Sequence, residues 1–91
     1  MRVGDFQSCT FNLENDLKLY LEDNGQLFAL SFLHRFESQV NLVVGEEPLN
    51  LADTLYGLKF CQPDADLTID NVGQIQPVFG FRRVQDQLYL R

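Results

Sequence analysis

The side chains best suited to chemistry are few and scattered. Histidine occurs once, as His34 in "FLHRF", and cysteine twice, as Cys9 and Cys61. A nucleophilic site would need a thiol or a serine hydroxyl within hydrogen-bond reach of that imidazole, and the residues around either cysteine do not have the form such sites take. His34 reads instead as a polar residue ending a strand beside Arg35. The cysteines, far apart and outside metal-ligand spacing, read as free, buried thiols of a reducing compartment.

Asp64, Asp66 and Asp70 in "PDADLTID" offer hard oxygens to a cation. The stretch lacks the glycine at the sixth position and the glutamate at the twelfth that an EF-hand loop supplies, and aspartates in such runs serve turns by bonding nearby backbone N–H groups. Phosphate-cradling loops are absent too: "VGEEPL" and "DNVGQ" each have one glycine and no lysine where a P-loop needs one. Arg82 and Arg83 are adjacent, so on a strand they face opposite sides, an arrangement suited to pairing with acids. The residues therefore lead to an expectation of no catalysis, no cofactor and no metal.

Charge narrows the partners. Seven basic residues stand against thirteen acidic ones, a formal charge of -6, and the resulting field repels nucleic acid and anionic lipid. No stretch approaches the roughly 20 apolar residues of a membrane span, and "MRVGDFQSC" lacks the apolar run of a signal peptide. The expectation is a soluble, cytoplasmic protein that binds no nucleic acid directly and no membrane. At 91 residues it makes one domain, residues 1–91, with one core.

The elements that must position any site follow from periodicity. In "DLKLYLEDNGQLFALSF" two alternating runs meet at Asn24-Gly25, a pair suited to a two-residue type I′ loop. With Asp23 opposite Gln26, Leu21 meets Phe28, Leu19 meets Leu30 and Leu17 meets Phe32, so six apolar side chains share one face. Lys18, Tyr20 and Glu22 then meet Ser31, Ala29 and Leu27 on the other. "FESQVNLVV" continues the alternation as a third strand, with Phe36, Val40, Leu42 and Val44 on one side. "SCTFNL" places Cys9, Phe11 and Leu13 on a common face and predicts a strand beside residues 17–21. The period changes at "GEEPLNLADTLYGLKF": Pro48 suits a first helical turn, Glu46 and Glu47 favour its positive end, and Gly57 suits a C-terminal cap, which predicts a short helix over 48–56. "LTID" reads as a short strand. A second hairpin, turning at Gln85-Asp86, sets Phe81 opposite Leu90, Arg82 opposite Tyr89 and Arg83 opposite Leu88. Pro77 has no N–H for a ladder and belongs at an edge or bulge.

These elements make a mainly β domain: an antiparallel meander of hairpins, as a sandwich or partly open barrel, with one short helix and with α+β as the alternative. Most of the eight phenylalanines fall in phase with its core faces. Phe6 does not, and reads as an exposed anchor or a strand bend. Such a chain is expected to act by protein contact, as an adaptor, regulator or inhibitor presenting a sheet face or edge through Lys18, Tyr20, Glu22, Phe6 and the edge near Pro77. Three other readings accompany it: an acidic mimic of nucleic acid, which requires the acids to gather on one face; a small-molecule site inside a barrel; and a homo-oligomeric component, such as a closed homodimer.

Overall fold

The computed structural model describes residues 1–91. Its elements, in chain order, are helix α1 (Val3–Thr10), β1 (Lys18–Asp23), β2 (Gln26–Arg35), β3 (Gln39–Val44), helix α2 (Leu51–Leu58), β4 (Asp66–Asn71), β5 (Gln74–Pro77), β6 (Phe81–Val84) and β7 (Gln87–Leu90). The seven strands form one curled sheet, a half-barrel, in the order β5-β4-β3-β2-β1-β7-β6. It is mixed: β1 pairs in parallel with β7, and β3 with β4, the second pair joined through α2. The domain is mainly β, as the sequence predicts, but its sheet is mixed and not an antiparallel meander throughout, because β7 takes the place beside β1 predicted for residues 8–13.

The first hairpin forms as its loop demands. Asn24 and Gly25 take φ of 52° and 78°, Asp23 pairs with Gln26, Leu21 with Phe28 and Tyr20 with Ala29. Below that point β1 and β2 part, and residues 49–51 enter the gap. The Leu49 N–H donates to the Leu30 carbonyl (2.7 Å), the Leu49 carbonyl accepts from Leu19, and the Leu51 N–H donates to Leu17. Leu17 and Phe32 are therefore not opposite one another. A bulge at Ser31 completes the change: Leu30 pairs with Val44 but Phe32 pairs with Val43, so one extra residue on β2 turns Phe32 outward and Leu33 inward. Gly45 permits this fold-back, since a Cβ there would stand 2.6 Å from Ser31 Oγ.

The same insertion moves the helix. Leu49 is committed to the sheet, so α2 starts at Leu51, capped by Asn50, whose Oδ1 accepts from the Asp53 N–H at 2.7 Å. Pro48 and both glutamates lie in the preceding connection, and Gly57 sits within the helix. At the N-terminus, residues 3–10 are helical because Val3, Phe6 and Thr10 make a buried stripe, and Asp5 accepts from the Arg2 N–H at 3.0 Å. Cys9 and Phe11 are exposed on that helix and its end, which overturns the strand at 8–13 and the buried Cys9.

Both helices cover one face of the sheet. Val3 and Phe6 of α1 and Leu51 and Leu58 of α2 join Leu19, Leu21, Leu30, Val40, Leu42, Leu67, Ile69, Leu88 and Leu90 in one cluster of 16 buried residues. The concave side of the sheet is filled by this cluster. β5 and β6 are the edge strands, and Val78–Gly80 links them; the Val78 N–H donates to Leu67, and Phe79 and Gly80 donate to Arg91. No helix is long and apolar enough to cross a membrane.

Candidate functional site

With both helices on the inner face, the outer face is uncovered. Directly paired residues of neighbouring strands point to the same side, so the ladders identify what this face presents. Across β2 to β5 one row runs Phe32, Val43, Asp70, Ile75, and the next runs His34, Asn41, Thr68, Pro77. Phe32 is 57% exposed, Ile75 54% and, where β2 runs into the turn to β3, Phe36 59%. Two hollows flank this strip. One of about 500 Å³ is lined by Phe36, Glu37, Ser38, Gln39, Asn41 and Ile75. The other, about 520 Å³, is lined by Ser31, Phe32, Gly45, Glu46 and Glu47.

Asn41 is the unusual residue of the face, 3% exposed although no element covers it. The Thr68 hydroxyl and the Gln39 carboxamide (2.8 Å) both engage its Oδ1 end, and its Nδ2 end has no partner within the chain. Ser31 Oγ, wedged against Gly45, is buried without a hydrogen-bond partner. Five carboxylates stand on or beside this strip: Glu37, Glu46, Glu47, Asp66 and Asp70. Two basic residues stand near them: Arg2, in register with Asp66 at the far edge, and Arg35, which lines a further hollow with Phe36 and Glu37.

The other half of the outer face holds Lys18, Tyr20 and Glu22 on β1, as the hairpin register required. β7 and β6 bring two more groups beside them. Tyr89 packs edge-on to Tyr20 with ring centroids 6.2 Å apart, and Arg82 lies 5.4 Å above the Tyr89 ring. Arg82 also donates to both oxygens of Glu22, at 3.1 and 2.6 Å. That guanidinium holds the Glu22 carboxyl below its ordinary pKa and is itself held above its own. Tyr20 is half-buried, and Glu22 already has its partner, so this cluster is largely satisfied within the chain.

Phe6 is no exposed anchor. It is fully buried on α1 and meets Phe81 edge-on at 5.7 Å, a burial that contributes roughly 2–3 kcal/mol. Pro77 ends the edge strand β5, opposite Thr68, and is exposed. The phenylalanines are the larger surprise: Phe11, Phe32, Phe36, Phe60 and Phe79, five of the eight, are exposed.

The chemistry-bearing groups are not brought together. His34 points outward opposite Asn41, while Cys9 and Cys61 belong to segments on the helix-covered side. Burial raises the Cys61 thiol above its usual pKa, with Arg35 acting weakly in the other direction. No three His, Cys, Asp or Glu side chains converge on a point where they could hold a metal ion. Asp70 serves a turn, accepting from the Gly73 N–H at 2.8 Å. No family model, curated protein or solved structure matches the chain.

Proposed function

We propose that this chain is a small non-catalytic protein-binding domain, and that it docks through the outer face of β2–β5. One observation carries the reading: both helices lie on one side of the sheet, and the other presents Phe32, Val43, Ile75 and Phe36 as apolar groups interspersed with Asp70 and His34 and bordered by carboxylates. Apolar surface of this kind, rimmed by polar groups and carried on a hydrogen-bonded sheet, suits a protein partner. The rim carries more acid than base, Arg2 and Arg35 being its cations, so the complementary surface is apolar at its centre and mainly basic around it. A mimic of nucleic acid needs a continuous track of negative charge; here a phenyl, a valine and an isoleucine run through the middle, which favours mixed apolar and ionic contact. The satisfied cluster around Tyr20 has less to offer a partner.

The test compares variants of the full chain as bait for crosslinking in native extract, followed by identification of the captured protein. Phe32→Ser with Ile75→Ser is expected to release the partner while Tyr20→Ala retains it. Retention by the double variant with loss on Tyr20→Ala would move the site to the other half of the face. Sedimentation serves as the companion measurement: a wild-type dimer dissociated by the double variant would assign the strip to a second copy of this chain and overturn the reading.

A further inference from the structure

The bulge that turns Phe32 onto the docking face is poorly satisfied. Ser31 Oγ is the one buried side-chain oxygen or nitrogen of the chain without a hydrogen-bond partner. Gly45 lies so close that a Cβ there would stand 2.6 Å from that oxygen and 3.0 Å from the Phe32 ring. The bulge also leaves Phe32 57% exposed, against the alternation of Phe28 and Leu30 that carries it inward. Local pattern and adopted register conflict at this point, and such a conflict brings a competing arrangement close in energy.

The ladder permits one. Beyond Ala29, β2 no longer pairs with β1, and residues 32–35 are hydrogen-bonded to β3 alone. Without the bulge, Leu30 keeps Val44, while Phe32 moves opposite Leu42, Leu33 opposite Asn41 and His34 opposite Val40. The extra residue passes into the turn. In the observed register the Phe36 N–H donates to the Gln39 carbonyl at 2.8 Å around Glu37 and Ser38. After the shift, Arg35 faces Gln39 across a three-residue loop, a length that hairpins accept. A step of one residue inverts the faces of the segment, so Phe32 enters the inner face in place of Leu33, and Ser31 reaches solvent opposite Val43.

Helix α2 has room for the larger side chain. A Cβ on Gly57 would lie 3.4 Å from Leu33, an ordinary contact, so alanine fits the observed register and glycine, a poorer helix former, is not required by it. A phenyl group in place of the leucine side chain reaches further and takes the space that a Cβ would occupy.

Resting on the docking face proposed above, we infer that residues 31–36 exchange between two registers against β3: the bulged one, which displays Phe32, and a shifted one, which buries Phe32 against Gly57. A partner on the outer face binds the bulged register alone, so whatever favours the shifted one withdraws the docking residue.

The experiment reads saturation-transfer exchange at the amides of the isotope-labelled full chain, with no partner present. In the wild type a minor state of about 1–10% is expected at residues 31–36 and 40–44, with β6 and β7 silent. Leu33→Ser should make the shifted register the major one, since position 33 then faces solvent. Its amide shifts should match those of the wild-type minor state, with contacts from the Phe32 ring to the Leu42 methyls. Gly57→Ala should lower the minor population several-fold in a chain that stays folded. A wild type without the minor state would overturn the inference, as would Leu33→Ser with Phe32 still opposite Val43. Exchange unaltered by Gly57→Ala would assign it to fraying of the turn and overturn it too; this variant decides the matter if Leu33→Ser does not fold. If the exchange is found but Phe32→Ser with Ile75→Ser retains a captured partner, the two registers stand and the docking face falls.

Discussion

Val72 occupies a conformation its side chain opposes. Its φ is 53°, in the left-handed region, where a β-branched residue is a steric outlier, and its side chain is 89% exposed, so no packing compensates. Val72 and Gly73 (φ 88°) turn β4 into β5 as Asn24 and Gly25 turn β1 into β2. Replacing Val72→Asn gives the second turn the chemistry of the first and is expected to stabilise the chain by about 1 kcal/mol, read as a raised urea midpoint at unchanged slope. An unchanged or lowered midpoint would show that the strain is relieved elsewhere. The docking residues were hidden at this scale for a specific reason. Strict alternation from Phe28 and Leu30 carries Phe32 inward, but Phe32 and Leu33 are consecutive and both apolar, and one of them must break the period. That adjacency is the trace of the Ser31 bulge, and only the register of β3 shows which of the two turns outward.

Elements were legible where local turn chemistry and hydrophobic period agree. The first hairpin near its loop, and the second with Phe81 opposite Leu90 and Arg82 opposite Tyr89, have the registers their sequences imply, the latter with Gln85 at φ 55°. Helix α1 was not legible, because eight residues offer only Val3, Phe6 and Thr10 as a stripe, while Cys9, Phe11 and Leu13 imitate a strand. The ion pair of Arg82 and Glu22 ties β6 to β1 across β7 and gives the elements a pH signature. Because Glu22 has a lowered pKa in the folded chain, its contribution is present above the unfolded carboxylate pKa and disappears as pH falls through the folded value. Glu22→Gln is therefore expected to lower the urea midpoint modestly at pH 7, the pair being partly exposed, with the difference closing in acid below the usual glutamate range. A difference that persists at low pH would assign the effect to something other than the carboxylate's charge.

At the scale of the whole molecule, the pairings that local pattern cannot reveal are the ones that close the fold. β7, the last strand, lies between β1 and β6 in the sheet, and α1, the first helix, meets β6 through Phe6 and Phe81. Parallel partners such as Lys18 with Gln87 are joined by no turn, so neither period nor loop chemistry announces them. The consequence is that no N-terminal portion has a complete core: Leu88 and Leu90 are fully buried in the same cluster as Val3 and Leu19. A domain of 91 residues has a total stability of about 5–14 kcal/mol, and removing a buried leucine beyond its Cβ costs about 2–5 kcal/mol. Leu90→Ala, one residue from the end of the chain, is thus expected to weaken the entire domain in one step. Far-UV circular dichroism and the fluorescence of the tyrosines, including the Tyr20–Tyr89 pair between β1 and β7, should shift together to a lower urea midpoint. If the tyrosine signal alone moved while the dichroism of the remaining strands kept its wild-type midpoint, β7 and β6 would be a separable flap on an independent β1–β5 core. The outer face proposed for docking would then be stable without the C-terminal strands.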